Sequence, residues 1–137
     1  MRVSTKGRYA LRVMIDLAQQ PDGGYISLKG IAERQEISAK YLETIVAVLN
    51  KAGLLVSYRG KEGGYKLAKK PEEYTVNEIL QLTEGSLAPV ACLEGMKDNP
   101  CERAYGCITL PMWKKLDDII NDYLDSITLK DLLDGNV

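Results

Sequence analysis

The sequence predicts a mainly α chain with one small β-hairpin in its first half and one long helix near its end. Three observations predict it. Apolar residues recur at three- and four-residue spacing over successive stretches between 4 and 127, the pattern of amphipathic helices. One pair of strand-like runs, 54–58 and 65–68, flanks a glycine-rich hexapeptide. Capping and turn residues (Ser27, Ser38, Gly53, Thr75, Gly85 and the run 21–24) fall between these stretches and not inside them.

The elements follow in order. From about Ser4 to Gln19, Tyr9, Val13, Met14, Leu17 and Ala18 form one buried stripe, and Pro21-Asp22-Gly23-Gly24 ends the helix. Tyr25-Ile26 reads as a very short strand. Ser27 caps a short helix through Ile31 and Ala32 to Gln35, Ile37 sits in a turn, and Ser38 caps a second helix to about Lys51. Leu42, Ile45, Val46 and Leu49 point inward there, while Lys40, Glu43, Thr44 and Ala47 occupy other faces. Two helices joined by a tight turn, with small Ala32 where they cross, describe a helix-turn-helix.

Gly53 suits the C′ position, and a hairpin with a basic tip, Arg59-Gly60-Lys61-Glu62-Gly63-Gly64, follows at once, in the place of a wing. Thr75-Val76-Asn77-Glu78 reads as a capping box opening a helix that ends at Gly85. Residues 85–107 are irregular. A last helix from about Leu110 to Ile127 presents Met112, Trp113, Leu116, Ile119, Ile120, Tyr123, Leu124 and Ile127 as a wide apolar stripe. So small a domain has little core left to cover it, so the stripe is expected to be a dimer interface, with packing on the N-terminal domain as the alternative. The organisation expected is a winged helix-turn-helix over 1–84, a cysteine-bearing loop over 85–107 and a dimerisation helix with the C-terminal segment over 108–137.

At 137 residues with 45% hydrophobic content, the chain suits one compact domain with an extension. It has no apolar run long enough to span a membrane and no signal-peptide core at its start, so a cytoplasmic protein is expected. The net charge of −1 conceals a division. Residues 1–70 hold thirteen Lys/Arg against six Asp/Glu, and residues 71–137 hold five against thirteen. A basic half attracts a polyphosphate and an acidic half is repelled by one; segregated solvated faces are the alternative.

Histidine is absent, which removes the commonest general base and any Ser-His or Cys-His dyad. With no paired-carboxylate or phosphate-loop signature, a redox or metal-handling enzyme is a remote reading and no enzyme is expected. The three cysteines, Cys92, Cys101 and Cys107, are spaced Cys-x8-Cys-x5-Cys, which is neither a disulfide scaffold nor a zinc ribbon. Thiolates converging from a loop suit an iron–sulfur cluster, thiol redox sensing without metal, or zinc and a structural role.

Several ungapped blocks then converge on one family. Ser4-Thr5-Lys6-Gly7-Arg8-Tyr9-Ala10, Ile31-Ala32-Glu33-Arg34-Gln35 leading to Ile37-Ser38, Tyr41-Leu42-Glu43, and Arg59-Gly60 with Gly63-Gly64-Tyr65 resemble the iron–sulfur cluster regulator (IscR-like) family, which includes CymR and NsrR branches. The resemblance covers nearly the whole chain. It implies a homodimer on double-stranded DNA, with a recognition helix in the major groove, a wing in the minor groove, and a long C-terminal helix crossing to the partner.

By that resemblance Ser38, Lys40, Tyr41 and Glu43 open the recognition helix. Ser38 and Tyr41 can donate to phosphate, and Glu43 can accept from a cytosine amino group or pair at the surface with Lys40. Arg59, with Gly60 and Lys61, is expected to enter the minor groove, a solvated hairpin tip being the alternative. Arg2, Lys6, Arg8 and Tyr9 would add phosphate contacts, and Arg34 could equally be a solvated helix residue. Glu36 departs from the pattern, since the turn often holds Gly there.

The resemblance also implies a cluster, of the 2Fe-2S type, on Cys92, Cys101 and Cys107. The usual fourth ligand is a histidine three residues beyond the last cysteine, and here that position is Leu110. Glu94, Asp98, Glu102 or Tyr105, a partner-subunit residue or an external thiol could take its place. The function expected is a DNA-binding transcription regulator, a repressor, whose affinity follows the cluster. The alternative is a cofactor-free CymR-like regulator controlled by thiol redox state or by a metabolic enzyme partner.

Overall fold

The computed structural model describes residues 2–20, 24–94 and 106–137. Six helices and one hairpin follow in the order α1 (Thr5–Ala18), α2 (Leu28–Gln35), α3 (Ala39–Lys51), β1 (Leu55–Tyr58), β2 (Gly64–Leu67), α4 (Val76–Glu84), α5 (Leu110–Ser126) and α6 (Leu129–Asp134). Single 3-10 turns lie at Pro71–Glu73 and Ala91–Leu93. Side-chain caps start the first four helices. Ser4, Ser27, Ser38 and Thr75 accept from the backbone N–H three residues on, at 3.4, 3.0, 3.2 and 3.1 Å. Each satisfies one of the donors that a helix start leaves unpaired.

The capping box expected at Thr75 is only half formed. Thr75 accepts from Glu78, but the Glu78 carboxylate turns to the Lys69 ammonium at 3.5 Å. A complete box occurs instead at Thr128 and Asp131, opening α6. There the backbone N–H and hydroxyl of Thr128 hold the Asp131 carboxyl below the usual carboxylate range.

The hairpin is antiparallel, with Leu55 opposite Leu67 and Tyr58 opposite Gly64. The short strand expected at 25–26 contributes one residue: Ile26 and Tyr65 exchange both backbone hydrogen bonds at 2.8 Å. Gly64 permits this, because a Cβ there would collide with the Ile26 carbonyl.

The main core joins α1, α2, α3 and the hairpin through Ala10, Val13, Met14, Ile31, Leu42, Ile45, Leu49 and Leu55, all buried. Tyr74, also fully buried, is the residue on which the elements meet. Its hydroxyl donates to the Leu54 carbonyl at 2.6 Å and accepts from the N–H groups of Ala68 and Lys69 at 2.9 and 3.0 Å, closing the base of the hairpin. The Lys69 ammonium lies 4.7 Å from its ring centre. Its own carbonyl accepts from Leu129 at 3.1 Å, while Val76 N–H donates to Ile127 at 2.8 Å. The chain after α5 is thus stitched to the start of α4, and α6, which the periodicity did not reveal, places Leu129 in the main core.

A second cluster unites Val76, Leu80, Leu87 and Ile127, with Ile120 and Leu124 of α5 packed on it. The wide α5 stripe therefore divides. Ile120, Leu124 and Ile127 face the N-terminal domain, whereas Met112, Leu116, Ile119 and Tyr123 stay exposed. Packing on the N-terminal domain, the alternative reading of the stripe, thus holds for one flank, and the other is left exposed.

Replacing Tyr74 with Phe removes a hydroxyl that serves three backbone groups and leaves the packing in place. Unsatisfied buried groups typically cost about 1–3 kcal/mol, so urea unfolding of the Phe variant should shift to lower midpoint with an unchanged slope. An unshifted midpoint would show that the hydroxyl does not hold the hairpin.

Candidate nucleic-acid interface

The helix-turn-helix is braced from behind by a buried carboxylate. Asp16 of α1, only 2% exposed, accepts from Arg34 Nη2 at 2.7 Å, from Arg34 Nε at 3.0 Å and from Gln35 Nε2 at 3.0 Å. Arg34 is thus 44% exposed and yet engaged by Asp16. The bond to Asp16 is the main cause that raises its guanidinium above its ordinary pKa. Arg12 of α1 in turn donates to the Gln35 side chain at 3.1 Å and to the Gln35 carbonyl. These bonds seat the end of α2 on α1 where the chain turns toward α3.

Glu36 makes that turn in the left-handed region, at φ 54 and ψ 45. Its N–H and that of Ile37 both return to the Ala32 carbonyl, ending α2 and releasing Ser38 to cap α3. The turn therefore takes the left-handed geometry that glycine favours, with a residue that carries a side chain.

Helix α3 buries Leu42, Ile45, Val46 and Leu49, so its opposite face stands outward. Ser38, Lys40, Tyr41, Glu43, Thr44 and Ala47 are all exposed on it. Tyr41 is held in place: the Tyr9 ring meets it edge-on at 5.8 Å, and the Arg12 guanidinium lies 5.0 Å over the Tyr9 ring. Arg12 was not among the residues read as site residues from the sequence, although its spacing of three from Tyr9 places both on one helix face. Arg2 and Arg8 are exposed and Lys6 is half-buried.

On the hairpin, Arg59, Gly60 and Lys61 are exposed at the tip. Tyr25 packs on Tyr58 at 5.4 Å, and Lys66 covers Tyr25 at 4.7 Å, which stiffens the strand next to Arg59. A groove of about 430 Å³ runs between the hairpin and the ends of α2 and α3, lined by Leu28, Asn50, Ser57, Tyr58 and Arg59 among others. The side chains of Lys40, Glu43, Arg59 and Lys61 take part in no hydrogen bond or ion pair among the described residues. Glu43 therefore does not pair with Lys40.

Cys92, in the 3-10 turn after α4, and Cys107, just before α5, are half-buried and not in disulfides. The Cys107 sulfur lies 3.4 Å from the Thr109 hydroxyl. Cys101, Asp98, Glu102 and Tyr105 lie outside the described residues, and Glu94 is exposed. Leu110 is buried, so the position at which the resembling proteins carry a histidine is turned into the apolar interior. Ser4, beside the N-terminal basic residues, donates through N–H and hydroxyl to Glu84 at 3.0 and 2.6 Å, and Glu84 is the last residue of α4 before the cysteine-bearing segment.

A braced helix-turn-helix, an outward recognition face and a basic hairpin define a winged helix-turn-helix regulator that binds DNA. Comparison with known proteins makes this specific. Residues 3–135 match the model of the Rrf2 family, described as an iron-dependent transcriptional regulator, and the chain belongs to that family. It is 41% identical to the HTH-type transcriptional regulator CymR of Bacillus subtilis over 96% of this chain and 89% of that protein. The solved structure of T. potens IscR is 42% identical, with a TM-score of 0.76 over 100% of this chain and 89% of that one. Staphylococcus aureus CymR, solved in an oxidized form, is 39% identical with a TM-score of 0.72 over 96% and 95%. No described helix is long and apolar enough to cross a membrane.

A non-glycine residue in the left-handed region costs on the order of 1 kcal/mol, partly offset by the greater freedom glycine has when unfolded. Glu36→Gly should therefore raise stability by about 0.5 kcal/mol, read as a higher thermal midpoint in calorimetry. A lower midpoint would mean that the Glu36 side chain supports the turn.

Proposed function

We propose that this Rrf2-family regulator acts as a homodimeric repressor, reading DNA with the α3 face and the hairpin, and that an iron–sulfur cluster on Cys92, Cys101 and Cys107 sets its affinity. The observation that carries the DNA reading is the contrast between committed and uncommitted polar groups. Asp16, Arg34, Gln35 and Arg12 bind one another behind the helix-turn-helix, whereas Lys40, Glu43, Arg59 and Lys61 are exposed and unengaged among the described residues. Ser38, Lys40 and Tyr41 would hold phosphates near the N-terminus of α3, and Glu43 would select a cytosine amino group. Arg59, with Gly60 and Lys61, would enter the minor groove, and Arg2, Lys6, Arg8 and Tyr9 would grip the backbone.

Dimerisation is supported by the exposed α5 flank. Met112, Leu116, Ile119 and Tyr123 recur at four, three and four residues, the spacing of a two-helix seam. The cluster is supported by the donor chemistry: three thiols within sixteen residues suit iron and sulfide. The fourth ligand would come from Glu94, Asp98, Glu102 or Tyr105, from the partner subunit or from an external thiol. When bound, the cluster would supply a redox- and iron-sensitive crosslink of the segment between α4 and α5. The Ser4–Glu84 bonds offer a route from that segment to the N-terminal basic residues.

A second reading is favoured by buried Leu110 and by the CymR likeness: thiol oxidation, or a metabolic enzyme partner, replaces the cluster. Anaerobic purification separates the two. The cluster reading expects brown protein with iron and acid-labile sulfide, colour lost in Cys92→Ala, and duplex binding that changes on cluster removal. Colourless anaerobic protein whose duplex binding still responds to peroxide would replace it with the thiol reading.

At the DNA surface, Arg59→Ala should weaken duplex binding tenfold or more, given about 1–3 kcal/mol for such contacts. Glu43→Ala should bind random duplex more tightly while losing base selectivity, because it removes both a repulsive charge and a discriminating acceptor. Fluorescence anisotropy on random and selected duplexes measures both, and unchanged affinities would remove these residues from the interface.

A further inference from the structure

We infer that Asn77 is a spacing determinant, a positioning residue that fixes how far apart the two DNA-reading heads stand. The inference rests on the dimer reading above. Asn77 is 8% exposed, one of the buried polar residues of the fold, and it lies on α4 facing α5. Its Nδ2 donates to Asn121 Oδ1 at 3.3 Å and to Asp125 Oδ1 at 2.9 Å. Gln81, one turn on, donates to Asn77 Oδ1 at 3.3 Å and to Asn121 Oδ1 at 3.2 Å, while Asn121 donates to the Asp117 carbonyl at 2.9 Å. Together they form a polar ladder between α4, which is part of the head, and α5, which carries the exposed seam.

The position of the ladder around α5 gives it this role. With 3.6 residues per turn, three sets of residues fill successive sectors of the helix. Met112, Leu116, Ile119 and Tyr123 form the exposed seam; Ile120 and Leu124 form the head-facing strip; Asn121 and Asp125 form the ladder beyond it. Apolar packing on the strip is non-directional and permits roll and tilt. Hydrogen bonds of defined geometry do not, and a buried polar group fixing register is the best-attested use of such groups.

Among the described residues, the hydrogen bonds that tie α5 to the rest of the fold lie toward its C-terminal half, while buried Leu110 packs at its start. Backbone bonds at Ile127 and Leu129 pin its C-terminal end to Val76 and Tyr74. The ladder holds it one to two turns further in. Met112 lies nine residues from Asn121, about 14 Å along the axis at 1.5 Å per residue, so a tilt of about 10° about the ladder would move it by roughly 2.4 Å. That displacement approaches the spacing of one base step, about 3.4 Å, before any magnification through the partner. Seating error in α5 therefore becomes error in half-site separation.

The test uses a pool of duplexes with a randomised core, selected in parallel by the wild-type protein and by Asn77→Leu. Leu keeps the branched shape of Asn and removes its polarity; Asn121 Oδ1 retains Gln81 as a donor, and Asp125 is exposed to solvent. Wild type should return paired half-sites at one separation, preferred about tenfold or more over neighbouring separations. The variant should return the same half-site sequence with separations spread over neighbouring values and the preference close to parity. The same single separation from both proteins overturns the inference and leaves the dimer reading standing. A wild-type pool without paired half-sites overturns both. Should Asn77→Leu fail to fold by circular dichroism, Asn121→Ala enters the same selection with the same expected spread.

Discussion

The fold depends most on the buried hydroxyl of Tyr74. A two-stranded hairpin is marginal alone, and this one has four residues per strand. What makes it a fixed wing is a donor and two acceptor sites placed where β1 begins and β2 ends, on a ring locked in the main core. The same residue supplies the carbonyl that receives the chain after α5. Wing, helix-turn-helix and C-terminal segment therefore share one anchor, and the Ile26–Tyr65 bridge adds a second hold on the wing from the side of α2.

The distribution of polar bonds separates support from function. Bonded groups lie behind or between elements: Asp16 with Arg34, Tyr74 with the wing base, Asn77 with α5. Each satisfies a buried group that would otherwise be costly, and each fixes one joint of the molecule. Lys40 and Glu43 on the outer face of α3 and Arg59 and Lys61 at the wing tip are among the exposed charges that make no such bond. Because the basic residues concentrate in the first half of the chain and the acidic ones in the second, the field favours approach of a polyanion to the head and disfavours it at α5.

Legibility in the sequence followed the range of the interactions. The starts of α1, α2 and α3 were readable because Ser4, Ser27 and Ser38 act on residues three positions away. The hairpin was readable from its glycines and alternation. Arg34, Tyr74 and Glu78 were not, because each takes a partner that periodicity cannot see: Asp16 across two helices, Leu54 across the hairpin, Lys69 in place of Thr75. The α5 stripe was visible as apolar, but its division into a packed and an exposed flank depends on where α4 lies. Helix α6 was hidden by its six-residue length, and its capping box shows only once Leu129 is seen to be buried. For the cysteines, spacing limited the chemistry to thiolate ligation or thiol redox and no further. At Glu36 the departure from glycine was legible, but the backbone it adopts, in the left-handed region, was not.

The claim that the basic head is a DNA-reading surface is tested most directly by measuring duplex affinity across a salt series. If exposed lysines and arginines displace counterions from phosphates, the logarithm of the association constant falls linearly with the logarithm of salt concentration, by about 0.9 per phosphate neutralised, with several phosphates engaged. Affinity that stays level from low to high salt would contradict the account.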